Sequence, residues 1–208
     1  MNVLFDLDGT LTDPGDGFVA CVSYALEKLD CRRYADHEIR CHVGPPLEET
    51  LARLLDDHTT IARAVAFYRE RYGSVGYLEN RVYPEIETAL QLLRARGVRM
   101  FVATSKPTVY AERILGHFGL SKYFDAVYGS ELDGTRAGKT DLVAHLLRNE
   151  SIEEAVMVGD RAQDIAAARA CGLPSIGVLW GYGSREELSA AGAAALCESP
   201  SDLPSLIA

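Results

Sequence analysis

Short, nearly continuous apolar runs recur along the chain, at Val3-Leu4-Phe5, Val98 to Ala103, Ala126-Val127-Tyr128, Ala155 to Val158 and Ser175 to Val178. Runs of this length without polar alternation suit strands buried on both faces, as in a parallel sheet. Between them the apolar spacing turns helical. Glu85 to Arg96 stops at Gly97, Thr108 to Phe118 at Gly119 and Ala162 to Cys171 at Gly172, while Lys139 to Asn149 precedes the fourth run. Glycine just past the last periodic residue is a helix stop. The alternation predicts right-handed crossovers and an α/β fold, a doubly wound parallel sheet with helices on its faces.

One stretch breaks the alternation. From about Gly15 to Asn80 only helical patterns occur, at Phe18 to Leu29, Leu47 to Asp56 and Ile61 to Tyr72. Val43-Gly44-Pro45-Pro46 interrupts them and reads as a helix breaker more readily than as a specificity loop, and Tyr83-Pro84 marks the return to the sheet. A length of 208 residues is one domain of roughly 150 residues plus a remainder. The expected organisation is therefore a catalytic core of residues 1–14 and 81–208, with a small helical cap over 15–80 placed like a lid. Phe67, Tyr68, Tyr72 and Tyr77 lie at helical spacing and read as cap core before they read as a base-stacking surface. The Ala-rich stretch Ala190 to Ala195 reads as a helix end.

Composition narrows the function. Apolar residues make up 48% and charged residues 25%, the balance of a packed globular protein. The formal net charge of −9 repels phosphate backbones and anionic lipid heads, which argues against a nucleic acid polymer or a membrane as partner. A small phosphorylated substrate stays open, because local cations override a mean field. No basic leader, signal-length apolar run or spanning segment is evident. Cys21, Cys31, Cys41, Cys171 and Cys197 form no Cys-x-x-Cys pair, and the five histidines are scattered. Reduced structural thiols in a cytoplasmic protein, monomer or homodimer, are expected, and zinc is not.

Ligands of open parallel sheets bind at the carboxyl ends of strands. Those ends carry Asp6-Leu7-Asp8-Gly9-Thr10, then Thr104-Ser105-Lys106-Pro107, then Gly159-Asp160-Arg161-Ala162-Gln163-Asp164, with Lys139 at the helix before the fourth strand. Carboxylates gathered this closely protonate or push apart unless a cation joins them. Oxygen-only ligands beside a lysine favour Mg²⁺. A cation, Lys139 and backbone N–H groups around Gly9 and Ser105 would make a socket for a phosphate dianion. Asp6 could then attack phosphorus to give an aspartyl-phosphate. Asp8 could protonate the leaving oxygen and later deprotonate water. Lys106 is expected to be solvated, Arg161 reads equally as a substrate contact or a surface salt bridge, and Trp180-Gly181-Tyr182-Gly183 reads as a loop at the rim of the site.

Asp6-Leu7-Asp8-Gly9-Thr10, followed in order by Thr104, Lys139 and Gly159-Asp160-x-x-x-Asp164, resembles the four motifs of the haloacid dehalogenase superfamily over essentially the whole chain. It is most similar to the phosphoglycolate phosphatase-like branch. The phrases Ala103-Thr104-Ser105-Lys106-Pro107 and Tyr128 to Arg136 are similar to bacterial members labelled 5′-nucleotidases. The resemblance implies that Asp6 is the nucleophile and a Mg²⁺ ligand. Asp8 is then the acid/base and gives its carbonyl to the metal, and Thr104 and Lys139 hold the phosphoryl group. Asp160 ligates the metal, and Asp164 ligates it or holds its waters. Thr140 stands where relatives often have proline, and the presence of Asp8 argues against dehalogenation.

The expectation is a Mg²⁺-dependent phosphomonoester hydrolase for a small metabolite, with a nucleoside 5′-monophosphate as lead substrate and 2-phosphoglycolate as runner-up. A sugar phosphomutase and a phospho-accepting regulatory domain of receiver type are rivals. Receiver domains lack the helical insertion and the Asp160/Asp164 pair.

Overall fold

The computed structural model describes residues 1–207. It divides into two compact units, residues 1–12 with 82–208, and residues 13–81.

The larger unit is built on β1 (Asn2–Phe5), β4 (Arg99–Pro107), β5 (Ala126–Ser130), β6 (Val156–Gly159), β7 (Ser175–Val178) and β8 (Ala195–Cys197). These form a six-stranded sheet in the order β5-β4-β1-β6-β7-β8, and every pairing is parallel. Its helices are α5 (Ile86–Ala95), α6 (Thr108–His117), α7 (Lys139–Asn149), α8 (Ala162–Ala170), α9 (Arg185–Ala191) and α10 (Leu203–Leu206). Two-residue strands β2 (Thr12–Asp13) and β3 (Arg81–Val82) pair with each other.

The continuous apolar runs follow from burial on both faces. Val3, Leu4 and Phe5 are all fully buried although successive side chains point to opposite sides. Leu4 lies level with Phe101 on β4 and Met157 on β6. These three share one cluster with Val143 and Leu146 of α7 and Ala167 and Ala168 of α8. The small α8 alanines let that helix lie close to the sheet beside the β6 carboxyl end. β1 is central, flanked by β4 and β6, so the segments leaving all three strands meet at one edge.

The smaller unit contains α1 (Gly15–Lys28), α2 (Asp36–Arg40), α3 (Leu47–Leu54) and α4 (His58–Ser74), with no strand between residues 14 and 80. Asp57 caps α4, its carboxylate accepting the Thr60 N–H at 2.7 Å. α1 packs on α4 through Phe18 and Tyr68, whose rings meet edge to face at 6.0 Å, and Tyr68 stacks on Tyr72 at 5.3 Å. Tyr68 and Tyr72 are thus core, whereas Phe67 and Tyr77 are half-buried. Gly44-Pro45-Pro46 lies between α2 and α3, with Val43 buried beneath it.

Two elements depart from the sequence reading. The Ala-rich stretch is not one helix end: α9 stops at Ala191, Gly192 takes a left-handed φ of 93°, and Ala195 opens β8 opposite Ile176. Alanine reads as helix, and only pairing with β7 makes a three-residue strand of it. The short α2 has no apolar periodicity and forms because the Glu38 carboxylate accepts the Ala35 N–H at 2.7 Å.

Truncating Leu4 to alanine removes a fully buried side chain from the centre of the sheet. Urea unfolding of Leu4→Ala should show a loss of about 2–5 kcal/mol, and an unchanged midpoint would contradict this packing.

Candidate active site

The β1 carboxyl end places Asp6, whose N–H donates to the Val158 carbonyl at 2.9 Å. Asp6, Asp160 and Asp164 are all buried. Each offers one carboxylate oxygen to a cluster in which these atoms lie within 4.8 Å of one another. Lys139, first residue of α7, reaches in with Nζ 2.7 Å from Asp6 Oδ1 and 2.8 Å from Asp164 Oδ1. Its side chain is only 6% exposed. Burial acts to neutralise this ammonium, but Asp164 and Asp6 outweigh it and hold its pKa above the usual lysine range. Lys139 therefore stays charged.

The acids feel the opposite balance. Burial first, then the charges of Asp164 and Asp6, raise Asp160 well above the ordinary carboxylate range. They do so against two donors: the Thr10 hydroxyl to Oδ1 at 3.1 Å and the Tyr182 N–H to Oδ2 at 2.9 Å. Burial also raises Asp164, with Lys139 pulling it down. The Asp164 carboxylate accepts the Arg161 N–H at 3.1 Å across the first turn of α8, which fixes it at the β6 end.

Asp8 points elsewhere. Its Oδ2 lies 2.7 Å from Lys106 Nζ, and the Lys106 side chain is 9% exposed. Lys106 is thus no solvated lysine, and this is a correction. The default for an isolated lysine is solvent, but the irregular end of β4 lays it along the site, with its N–H donating to Thr104 Oγ1 at 3.2 Å. Burial raises the Asp8 pKa and Lys106 opposes it. The signal available in the sequence was its place in the strand-end run Thr104-Ser105-Lys106-Pro107.

Thr104 is buried at the same edge, and the Ser105 carbonyl accepts the Ser130 hydroxyl at 2.9 Å. The Gly9 N–H donates to the Thr12 carbonyl at 2.7 Å. What the position requires is a left-handed φ of 85° and no side chain, since a Cβ there would overlap the Asp160 carboxylate. Of the two readings of Arg161, the salt bridge is the one observed, half-buried against Glu187. Its Nε donates to Glu187 Oε1 at 3.0 Å, at 14% side-chain exposure, and the same oxygen accepts the Ala162 N–H at 2.8 Å.

The donor set fits a hard divalent cation. Oδ1 of Asp6, a member of the cluster, is buried and, despite its contact with Lys139, lacks an aligned hydrogen-bond partner. Lys139 pairs with only two of the three clustered carboxylates, Asp6 and Asp164, and oxygen ligands of this kind suit Mg²⁺-like ions.

A parallel α/β sheet that gathers an aspartate nucleophile candidate, a threonine, a buried lysine and an aspartate pair at one edge defines a hydrolase class. Residues 3–178 match the haloacid dehalogenase-like hydrolase family. A 5′-nucleotidase of Pseudomonas aeruginosa is 43% identical over 192 residues, 91% of this chain and 87% of that protein. The tyrosine-protein kinase PtkA of Mycobacterium tuberculosis is 40% identical over 184 residues, 87% of this chain but 62% of that longer protein. Relatives named phosphoglycolate phosphatase also match. A solved structure of a predicted phosphatase from Clostridium acetobutylicum superposes with a TM-score of 0.95 at 42% identity, covering 99% of this chain and 97% of that one. The chain belongs to the haloacid dehalogenase-like hydrolase family, as one of its phosphatases. Among the described residues no helix is long and apolar enough to cross a membrane.

Asp160→Asn removes the buried acid whose folded pKa is raised. A raised acid costs stability above its unfolded pKa, so without divalent ions the variant should melt several degrees higher than the parent near neutral pH. The difference should shrink as pH falls toward about 4. Mg²⁺ should raise the melting temperature of the parent and leave that of the variant unmoved. Equal responses to Mg²⁺ would contradict the cluster as a cation site.

Proposed function

We propose that this phosphatase hydrolyses small phosphomonoesters with Mg²⁺ through an aspartyl-phosphate on Asp6, and that its lead substrate is a nucleoside 5′-monophosphate. The observation that carries the reading is the division of labour among buried carboxylates. Asp6 is paired with Lys139, and Asp8, two residues on, is paired instead with Lys106. Two carboxyl groups in different environments suit two roles.

In this mechanism the Asp6 carboxylate attacks phosphorus in line with the ester oxygen. Asp8, protonated beforehand, gives its proton to that oxygen as the P–O bond breaks, and the alcohol leaves. The raised pKa of Asp8 supports the acid role. Asp8, now a carboxylate, takes a proton from water as the water attacks the phosphorus of the aspartyl-phosphate. Inorganic phosphate leaves, and Asp6 is restored. Lys139 neutralises the nucleophile and then the phosphoryl oxygens, so that dianion and carboxylate can approach. The Thr104 hydroxyl and the Ser105 segment orient the phosphoryl group. Asp6, Asp160, Asp164 and the Asp8 carbonyl are the residues that would hold the cation. When bound, Mg²⁺ supplies charge neutralisation to the phosphoryl group and relief of repulsion among the acids.

The nucleotide preference is supported by the phrase from Tyr128 to Arg136 and by the 5′-nucleotidase relative. Phosphoglycolate is the alternative, supported by relatives of that name. A net charge of −9 supports a protein that binds no nucleic acid polymer, and five free cysteines support a reducing, cytoplasmic setting.

Phosphate release from p-nitrophenyl phosphate should require Mg²⁺ and disappear in Asp6→Asn; activity surviving that substitution would remove the mechanism. Asp8→Asn should lower kcat about 10²–10⁴-fold. Lys106→Met should lower kcat by a smaller factor with little change in KM; a pure KM effect would instead make Lys106 a binding residue. A panel of nucleoside monophosphates, 2-phosphoglycolate and sugar phosphates, with ATP plus a tyrosine peptide as a kinase arm, tests the substrate. The highest kcat/KM on a nucleoside monophosphate is expected. A preference for phosphoglycolate would select the alternative.

A further inference from the structure

We propose that Trp180 is a positioning residue for the divalent-cation site, acting through Thr10 on the Asp160 carboxylate. The proposal rests on the reading of the acidic cluster as a cation site. It concerns the loop after β7, which the mechanism above does not use.

The Trp180 indole N–H donates to the Thr10 carbonyl at 2.9 Å, joining positions 170 residues apart in sequence. Thr10 is fully buried, and its hydroxyl is the donor to Asp160 Oδ1 at 3.1 Å. Two residues beyond Trp180, the Tyr182 N–H is the donor to Asp160 Oδ2 at 2.9 Å. Each oxygen of Asp160 thus takes a donor from one of two segments, and the indole ties those segments together. Between them, Gly181 lies directly on the site: a Cβ there would overlap both the Gly9 carbonyl and the Asp160 side chain.

Asp160 needs such a grip. It is a buried acid pressed by Asp164 and Asp6, and like charge drives it to rotate away from the cluster. A carboxylate serves a hard cation only if it keeps one oxygen turned toward it, and hydrogen bonds to the ligand set that orientation. Two donors from two segments fix both the plane and the tilt of the group. Freeing the Thr10 turn loosens one of them. A tryptophan that merely filled space would need its rings but not its N–H. A phenylalanine at 180 separates the two roles, because it keeps an aromatic ring and loses the donor.

The test is direct cation binding to chelator-treated protein, with Mn²⁺ as a hard divalent probe and free Mn²⁺ read by electron paramagnetic resonance. The parent should bind Mn²⁺, and Trp180→Phe should bind it about tenfold more weakly. Thr10→Val should lose a similar factor, while Thr10→Ser, which keeps the hydroxyl, should bind as the parent does. The double variant Trp180→Phe/Thr10→Val should lose little more than the worse single one, because both changes act on one carboxylate. Parent-like binding by Trp180→Phe would overturn the proposal and leave the cation reading intact. Losses that multiply in the double variant would overturn it equally. Failure of the parent itself to bind Mn²⁺ would overturn both. Position 180 holds the sole tryptophan of the chain, so a readout free of any folding defect exists in the parent. Its emission should change on adding Mg²⁺ and saturate with it, and an emission indifferent to Mg²⁺ would also overturn the proposal.

Discussion

A lysine with almost no exposure, set 2.7 Å from one buried aspartate and 2.8 Å from another, is the contact on which the catalytic edge depends. Lys139 brings positive charge where Asp6, Asp160 and Asp164 crowd together. Burial in such a cluster, with like charge beside it, raises Asp160 and Asp164. One fixed ammonium offsets part of that repulsion and leaves the rest for a divalent ion. The residual misfit is visible in Asp160, which stays well above its ordinary range despite two hydrogen-bond donors. A site of this kind is unstable by construction, and that instability favours a cation beside the carboxylates.

The sheet order follows from the same requirement. Asp6 leaves β1, Thr104 lies near the end of β4 and Asp160 follows β6, and β4 and β6 are the two neighbours of β1. Only a parallel arrangement points these three carboxyl ends the same way, and the fully buried Leu4, Phe101 and Met157 hold it there. α7 then delivers Lys139 from its first turn, and α8 delivers Asp164 from its own. The core cluster and the site are joined through those two helices: Val143 and Leu146 anchor one, and Ala167 and Ala168 the other.

Much of this was legible in the sequence. Strands buried on both faces leave unbroken apolar runs, so five of the sheet strands could be read, and the acidic motifs follow two of them directly. β8 was not legible, because Ala195-Leu196-Cys197 becomes a strand only by pairing with β7. The partners of Lys106 and Arg161 escape the sequence for a different reason. Charged residues are solvated by default, and only tertiary placement brought Lys106 to Asp8 and Arg161 to Glu187. Gly9 was noticed for its amide, whereas its conformation and missing side chain are what the Asp160 carboxylate requires. The Thr10 hydroxyl and the Trp180 indole carry no sequence mark of their contacts, since each bridges more than a hundred residues.

The central claim is that Asp6 carries the phosphoryl group during turnover. Enzyme quenched in acid during steady-state hydrolysis can be reduced with borohydride, which converts an aspartyl-phosphate to homoserine, and the product located by peptide mass spectrometry. Homoserine at position 6, formed only when substrate and Mg²⁺ are both present, is the predicted result. Its appearance at another carboxylate, or steady phosphate release with position 6 unmodified in repeated quenches, would contradict the account.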